Sequence, residues 1–333
     1  MASSAPKPPV TLTMAQAINA ALDRALSEHP EAILFGEDVA LPGGVFGCTR
    51  GLVDRHGSRV FDTPISESAI LGAAVGAALM GRRPIVEIMW IDFALVALDQ
   101  IVNQAANVRY VSGGRLSAPL TIRTQQGVLA GSCAQHSQSL EALFTHIPGI
   151  RVAMPSSAQD AYSLLLAAVA CDDPALVIEH RSMYHAVSGD VSLDAPVERI
   201  GGARVVRPGE DVTIVGLGPM VSVALEAATS LADEGVDAEV IDPRWLAPLD
   251  VEAIVTSVTR TGRLVVAHQA NVTGGFGAEV AARIANEAFW SLEAPIERVG
   301  LPDIRMPAAP ALQDAVVPKA GQVAAAALRA VRA

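Results

Sequence analysis

Two side chains in this sequence stand where they could do chemistry, and each has a plainer reading beside it. Glu67 ends the stretch DTPISE and opens ESAILGAAVGAALMG, after which no charge occurs until Arg82. A carboxylate at the mouth of an apolar helix can be an ordinary first-turn residue favoured by the helix dipole. It can equally be an acid–base group that the apolar run shields from water. His136 lies in the polar run AQHSQS. An imidazole there can donate a proton near neutral pH, or it can be a loop histidine with no such duty. His146, His180, His185 and His268 read as structural. Spacing alone leaves both readings open for Glu67 and His136.

Other chemistry-bearing patterns are weak or missing. VTIVGLGPMVSVALEAA places Gly216-x-Gly218 after a strand and before a helix, with Asp242 ending the next strand. Val221 stands where the third glycine of a dinucleotide fingerprint belongs, so the pair of glycines reads as a tight strand–helix turn. There is no GxxxxGK[ST] loop, no HExxH and no GxSxG elbow. P-loop, metalloprotease and hydrolase readings therefore lose their anchors. The three cysteines, Cys48, Cys133 and Cys171, are scattered and odd in number, which fits neither a disulfide framework nor a CxxC zinc site.

The elements that must position Glu67 and His136 alternate. Residues 13–27 (TMAQAINAALDRALS) have helical apolar spacing with Thr13 as N-cap. AILFGEDVA is a strand ending in a Gly-acidic turn, and Pro42-Gly43-Gly44 marks a loop. DTPISESAILGAAVGAALMG reads as a helix packed on all sides, RRPIVEIMW as a strand. FALVALDQIVNQAANVRYVSGG reads as a helix closed by Gly113-Gly114. The strand APLTIRTQQG, a helix over 158–170 and the strand ALVIEH follow. The pattern loosens over 188–207, the expected linker, and then restarts: DVTIVGLG, a helix over 221–234, VDAEVID, a helix near 250–258, RLVVAHQA and a helix over 277–288. Such alternation predicts an α/β protein of two doubly wound domains, over 11–187 and 208–333, after a loose N-terminus over 1–10.

Composition agrees with layers packed through small residues. Half of the 333 residues are hydrophobic, yet aromatics are only 4%. The net charge of −11, with no Lys/Arg cluster, argues against nucleic acid or an anionic membrane as partner. The longest apolar run, 69–81, is too short to span a bilayer, and the N-terminus lacks the apolar core of a signal peptide. A cytoplasmic location is expected.

The ordered stretches FGEDVALPGGVFGCTRGL, FDTPISESAILGAAVGAAL, EIMWIDFALVALDQIVNQAANVRYVSGG and QHSQSLEALFTHIPGIRVAMPS carry a resemblance. They resemble the beta subunit of the thiamine-diphosphate-dependent decarboxylase component of 2-oxo-acid dehydrogenase complexes, a family with pyruvate, branched-chain and acetoin members. The resemblance covers the chain from about Thr11 to the C-terminus. It implies a pyrimidine-binding domain followed by a transketolase C-terminal-type domain. It implies an α₂β₂ heterotetramer whose alpha subunit holds the diphosphate and Mg²⁺ through a GDG motif, absent from this chain. The implied reaction is oxidative decarboxylation of a 2-oxo acid with reductive acylation of a lipoyl arm on an acyltransferase component.

Residue by residue, the resemblance gives Glu67 the carboxyl that shares a proton with the pyrimidine N1′, and His136 a place near the reacting centre. Ile65, Met89 and Phe93 match positions lining the aminopyrimidine, for which plain core packing is the alternative. Met89 and Phe93 are closer to the pyruvate pattern than to the branched-chain one. Leu120, Ala168, Val169, Cys171 and Asp173 match the positions that bind a structural potassium ion, mainly through backbone carbonyls; the family usually has Asp where Cys171 stands. His268 is followed by Gln269 where family members often have an acid. Pyruvate oxidation is the leading reading, with acetoin or branched-chain 2-oxo-acid oxidation and a split transketolase beside it. A non-catalytic assembly or regulatory subunit is the reading of another class.

Overall fold

The structure, a computed structural model, describes residues 8–333. Residues 1–7 of the expected loose N-terminus lie outside it, and Val10 already opens the first strand. The chain forms two compact units. One comprises the described residues up to Gln125 together with Ile147–Ile200; the other comprises Gln126–His146 and Gly201–Ala333.

In chain order, the first unit starts with β1 (Val10–Thr13), α1 (Met14–Glu28), β2 (Ala32–Gly36), α2 (Leu52–His56) and β3 (Val60–Asp62). It continues with α3 (Glu67–Leu79), β4 (Arg83–Ile88), α4 (Ile91–Ala94), a π-helical turn (Gln100–Ala105), α5 (Val108–Val111) and β5 (Thr121–Gln126). After α6 (Glu141–Thr145), which belongs to the second unit, come β6 (Arg151–Ala153), α7 (Ala158–Ala170), β7 (Ala175–His180), α8 (Met183–Ala186) and β8 (Ser188–Val191). Six strands lie in the order β6-β7-β5-β4-β2-β3. The pairs β2–β3, β2–β4, β4–β5 and β6–β7 are parallel, and β1 pairs antiparallel with β8. Thr13 caps α1 in a capping box with Gln16. One face of α1, including Ile18, Leu22 and Leu26, is buried, each side chain contributing about 1.5–3 kcal/mol.

The second unit continues with β9 (Arg204–Arg207), β10 (Val212–Gly216), α9 (Met220–Asp233), β11 (Ala238–Asp242), β12 (Trp245–Ala247) and α10 (Val251–Thr261). It ends with β13 (Leu264–Asn271), α11 (Phe276–Glu287), β14 (Glu297–Leu301), α12 (Pro310–Val316) and α13 (Ala320–Val331). Its sheet runs β14-β13-β10-β11-β9, parallel except for the edge strand β9. Alternation along β10 shows how both faces are covered. Val212 and Ile214 pack into a core with Ala224, Ala228 and Leu231 of α9 and Val323 and Ala327 of α13. Thr213 points the other way, its hydroxyl bonded to Ser257 and Thr261 of α10 at 2.6 and 2.7 Å.

Three expectations need correction. The long helix over 93–114 is broken into α4, the π-helical turn and α5, although Gly113 and Gly114 do close it at φ 63° and 79°. Helix α3 is not packed all round: Ala69, Ala73, Gly76, Leu79 and Met80 are exposed along one face. The stretch 188–207 carries strands β8 and β9.

Candidate active site

Beyond the carboxyl ends of β3 and β4 lie Ile65, Glu67, Met89 and Phe93, four of the residues singled out in the sequence. In a parallel sheet these ends are where ligands bind, because the strand-to-helix loops converge there. At the end of β3, the Asp62 carboxylate accepts the Ala40 and Leu41 amides at 2.7 and 3.4 Å, and the Thr63 amide donates to Gly36 O at 2.9 Å. The TPIS loop is thereby tied to the end of β2. At Gly36 a Cβ would lie 2.6 Å from Glu87 O, so only glycine lets β2 and β4 approach there.

Glu67 is the first residue of α3. Ser66 before it makes no side-chain cap, and the Glu67 side chain, although buried (8% exposed), accepts no hydrogen bond from the described residues. It is not a capping glutamate. Glu37, just after β2, faces it. Burial, together with the charges of Glu67 and Asp38, pushes the Glu37 carboxyl above its ordinary range, and its Oε1 is buried without a partner.

Ile65 is 82% exposed, an apolar side chain beside a buried acid. Met89 and Phe93 are half-buried. Ser68 Oγ donates to Val96 O at 2.7 Å, which fastens the start of α3 to the turn after Phe93. The Phe93 ring meets Trp90 edge-on, Trp90 meets Phe46 edge-on and Phe46 lies against Tyr184, with centroids 5.7, 6.3 and 5.4 Å apart.

Below this row is a buried ion cluster across three neighbouring strands. Arg123 of β5 donates to Glu179 of β7 at 2.8 and 2.7 Å and to Glu87 of β4 at 2.6 Å, while Tyr184 donates to Glu179 at 2.6 Å. One guanidinium serves two carboxylates, and burial, reinforced by Glu179, raises the Glu87 pKa.

His136 lies in the second unit, on the loop between β5 and α6. The base of that loop is clamped: Gln126 Oε1 accepts the Leu140 amide at 3.3 Å and Gln126 Nε2 donates to Glu141 at 3.0 Å. Within it, the Ser132 and Ser137 hydroxyls lie 2.6 Å apart, and Arg305 donates to Gln138 at 2.7 Å. Glu141 is fully buried, which raises its pKa against the opposing Gln126 bond.

Comparison with known proteins gives this geometry a family. The profile of the transketolase pyrimidine-binding domain matches residues 10–186 and that of the transketolase C-terminal domain residues 201–323. A beta subunit of acetoin:2,6-dichlorophenolindophenol oxidoreductase from Cupriavidus necator is 44% identical over 96% of this chain and 98% of its own. The beta-2 subunit of the mitochondrial pyruvate dehydrogenase E1 component of Oryza sativa is 41% identical over 96% and 86%. The 2-oxoisovalerate dehydrogenase beta subunit of Pseudomonas aeruginosa is 44% identical over 87% of each chain. The chain belongs to this transketolase-like family of dehydrogenase beta subunits. A solved structure of a split-gene transketolase, described as an inactive β4 tetramer, superposes on this chain with a TM-score of 0.76. It is 27% identical over 96% of this chain and 98% of that one.

The family depends on thiamine diphosphate, and the first unit fits its aminopyrimidine. A flat ring that both accepts and donates hydrogen bonds suits two carboxyl groups with unused bonding capacity, those of the buried Glu67 and the half-buried Glu37, flanked by apolar and aromatic side chains. Glu37 is the residue that sequence reasoning passed over, reading GED only as a turn. Its signal was its place directly after a strand of a parallel sheet.

The expected potassium positions fare differently. Ala168 O accepts the Cys171 amide at 3.2 Å and Leu120 O the Ala175 amide at 2.9 Å. Val169 O and Cys171 O both accept from Arg83, and the Asp173 carboxylate is held by Arg109 and Arg151. This donor set does not fit a potassium ion.

Proposed function

We propose that this chain is the beta subunit of a thiamine-diphosphate-dependent dehydrogenase that oxidises pyruvate and passes the acyl group to a lipoyl arm. The observation that carries the reading is Glu67: a buried carboxyl without a partner, at the start of an apolar helix, beside a second carboxyl whose pKa is raised. When bound, thiamine diphosphate supplies a carbon nucleophile that stabilises the negative charge left when a bond next to a carbonyl breaks. The protein's part is proton handling and water exclusion. Glu67 holds and releases a proton at the pyrimidine N1′, and Ile65, Met89 and Phe93 pack on the ring and keep water away. Glu37, its carboxyl pushed above the ordinary range by burial and by the Glu67 charge, stands beside Glu67 as a second group for the ring. His136 serves as a proton donor during acyl transfer.

The diphosphate and its Mg²⁺ fall to an alpha subunit, in an α₂β₂ assembly; this chain has no GDG motif. The first unit exposes Ile65, Met80, Val96, Tyr110 and Val111, an apolar surface that suits a chain packed against partner subunits. The lipoyl-bearing acyltransferase docks on this assembly. The enzyme is cytoplasmic; no helix of the described residues is long and apolar enough to cross a membrane.

Acetoin oxidation is the second reading, favoured by the similarity to the Cupriavidus acetoin subunit along 98% of that chain. One experiment separates the readings: the chain with its alpha partner, assayed on pyruvate, acetoin and branched-chain 2-oxo acids with an artificial electron acceptor. Pyruvate is the expected best substrate. Replacing Glu67→Gln should lower turnover by ~10²–10⁴-fold with an unchanged melting temperature. Unchanged turnover would instead point to a subunit retained for assembly.

A further inference from the structure

The last carbonyls of a helix have no partners within it and carry the negative end of its dipole, so the end of α7 must be satisfied by something positive or by donors. In this chain the group that reaches it is Arg83, the first residue of β4. Its Nη1 donates to Val169 O at 2.6 Å and to Cys171 O at 2.8 Å, and its Nη2 to Asp172 Oδ1 at 3.0 Å. The Arg83 side chain is 14% exposed, so its bonds to the two carbonyls are partly shielded from competing water, while the Asp172 carboxylate is exposed. Two of the carbonyls that a potassium ion would need are thus filled by a fixed positive charge. Two more, Ala168 O and Leu120 O, accept backbone amides. At the fifth position, Arg109 and Arg151 converge on the Asp173 carboxylate. A metal ion here would share its oxygens with a guanidinium and be repelled by it. Cys171, standing where the resemblance leads one to expect an aspartate, adds no charge to draw an ion in.

We propose that Arg83 is the built-in cation of this subunit: it caps α7 and joins it to β4, doing the work of a structural potassium ion, so that the fold is indifferent to potassium. The inference is independent of the thiamine reading, since an ion requirement at α7 would leave the role of Glu67 untouched.

The test uses the full chain, exchanged into a tetramethylammonium buffer and then given equal concentrations of KCl or NaCl. A site occupied at roughly 100 times its Kd raises the melting temperature by several degrees. The expected result is a difference between the two salts below ~1 °C on that scale, and substoichiometric potassium by elemental analysis after exchange into NaCl. Arg83→Met should melt lower and regain part of the loss in KCl but not in NaCl, because the carbonyls are then free. Arg83→Lys, which keeps the charge, should stay indifferent. Potassium-selective stabilisation of the unaltered chain, or about one tightly held ion per chain, overturns the proposal. Those two measurements decide the matter even if the Met variant fails to fold.

Discussion

His268 shows how much one side chain can hide. It is fully buried in β13, and neither ring nitrogen has a hydrogen-bond partner. Gly275, Gly277 and Gly300 surround it so closely that a Cβ on any of them would come within 2.6–3.2 Å of the ring. Burial, and behind it the Arg298 charge, lowers its pKa from 6.5 to about 4. The unfolded chain therefore binds a proton at a pH where the folded one does not. Stability from this site is full above the unfolded pKa and falls as pH drops from 6.5 towards 4. Between pH 7 and 4.5 the loss is about 2–3 kcal/mol. Replacing His268→Leu should remove that part of the pH dependence in urea titrations; an unchanged profile would show that the acid sensitivity comes from other groups. From sequence His268 reads as structural, and nothing there announces an imidazole without partners. Glu67 was legible because a long ordered motif surrounds it. Glu37 and Arg83 were not, since their meaning lies in what folding brings opposite them.

At the scale of elements, the strands and major helices were readable because their apolar periods are clean: α7 occupies 158–170 as expected, and α9 and α11 begin one residue early. Three departures have physical reasons. The helix over 93–114 gives way to a π-helical turn in which the Ala106 amide reaches back to Ile101 O, a local shift that apolar spacing does not encode. The run 188–207 lacks hydrophobic alternation because β8 and β9 are edge strands whose outer positions are partly exposed. α3 has no polar stripe to mark its exposed face, since that face is built of Ala69, Ala73, Gly76, Leu79 and Met80. The strands β4, β5 and β7 are held in register by Arg123 between Glu87 and Glu179. Replacing Arg123→Met strands two buried acids, and should cost about 3–5 kcal/mol by chemical denaturation. A loss below ~1 kcal/mol, the range of an exposed pair, would mean that water reaches the cluster.

For the whole molecule, the alternation of strands and helices foretold two α/β units but not what covers them. Met80 is 85% exposed, Tyr110 89% and Val111 78% in the first unit, and Trp290 95% in the second. Such side chains left in water favour self-association. Sedimentation of the chain alone should show species that grow with concentration, and adding the alpha partner should replace them with one heteromer of two copies each. A chain that stays monomeric and ignores the alpha partner would contradict the assembly proposed here.

The division of the chain has a consequence for its synthesis. Residues 126–146 leave the ribosome before β6 and β7, yet the body they pack with begins only at Gly201. The segment carrying His136 must wait, unsheltered, for more than fifty residues of later chain before it can settle. A polypeptide cut after Ile200 would strand it permanently, so the two halves cannot be manufactured as separable goods.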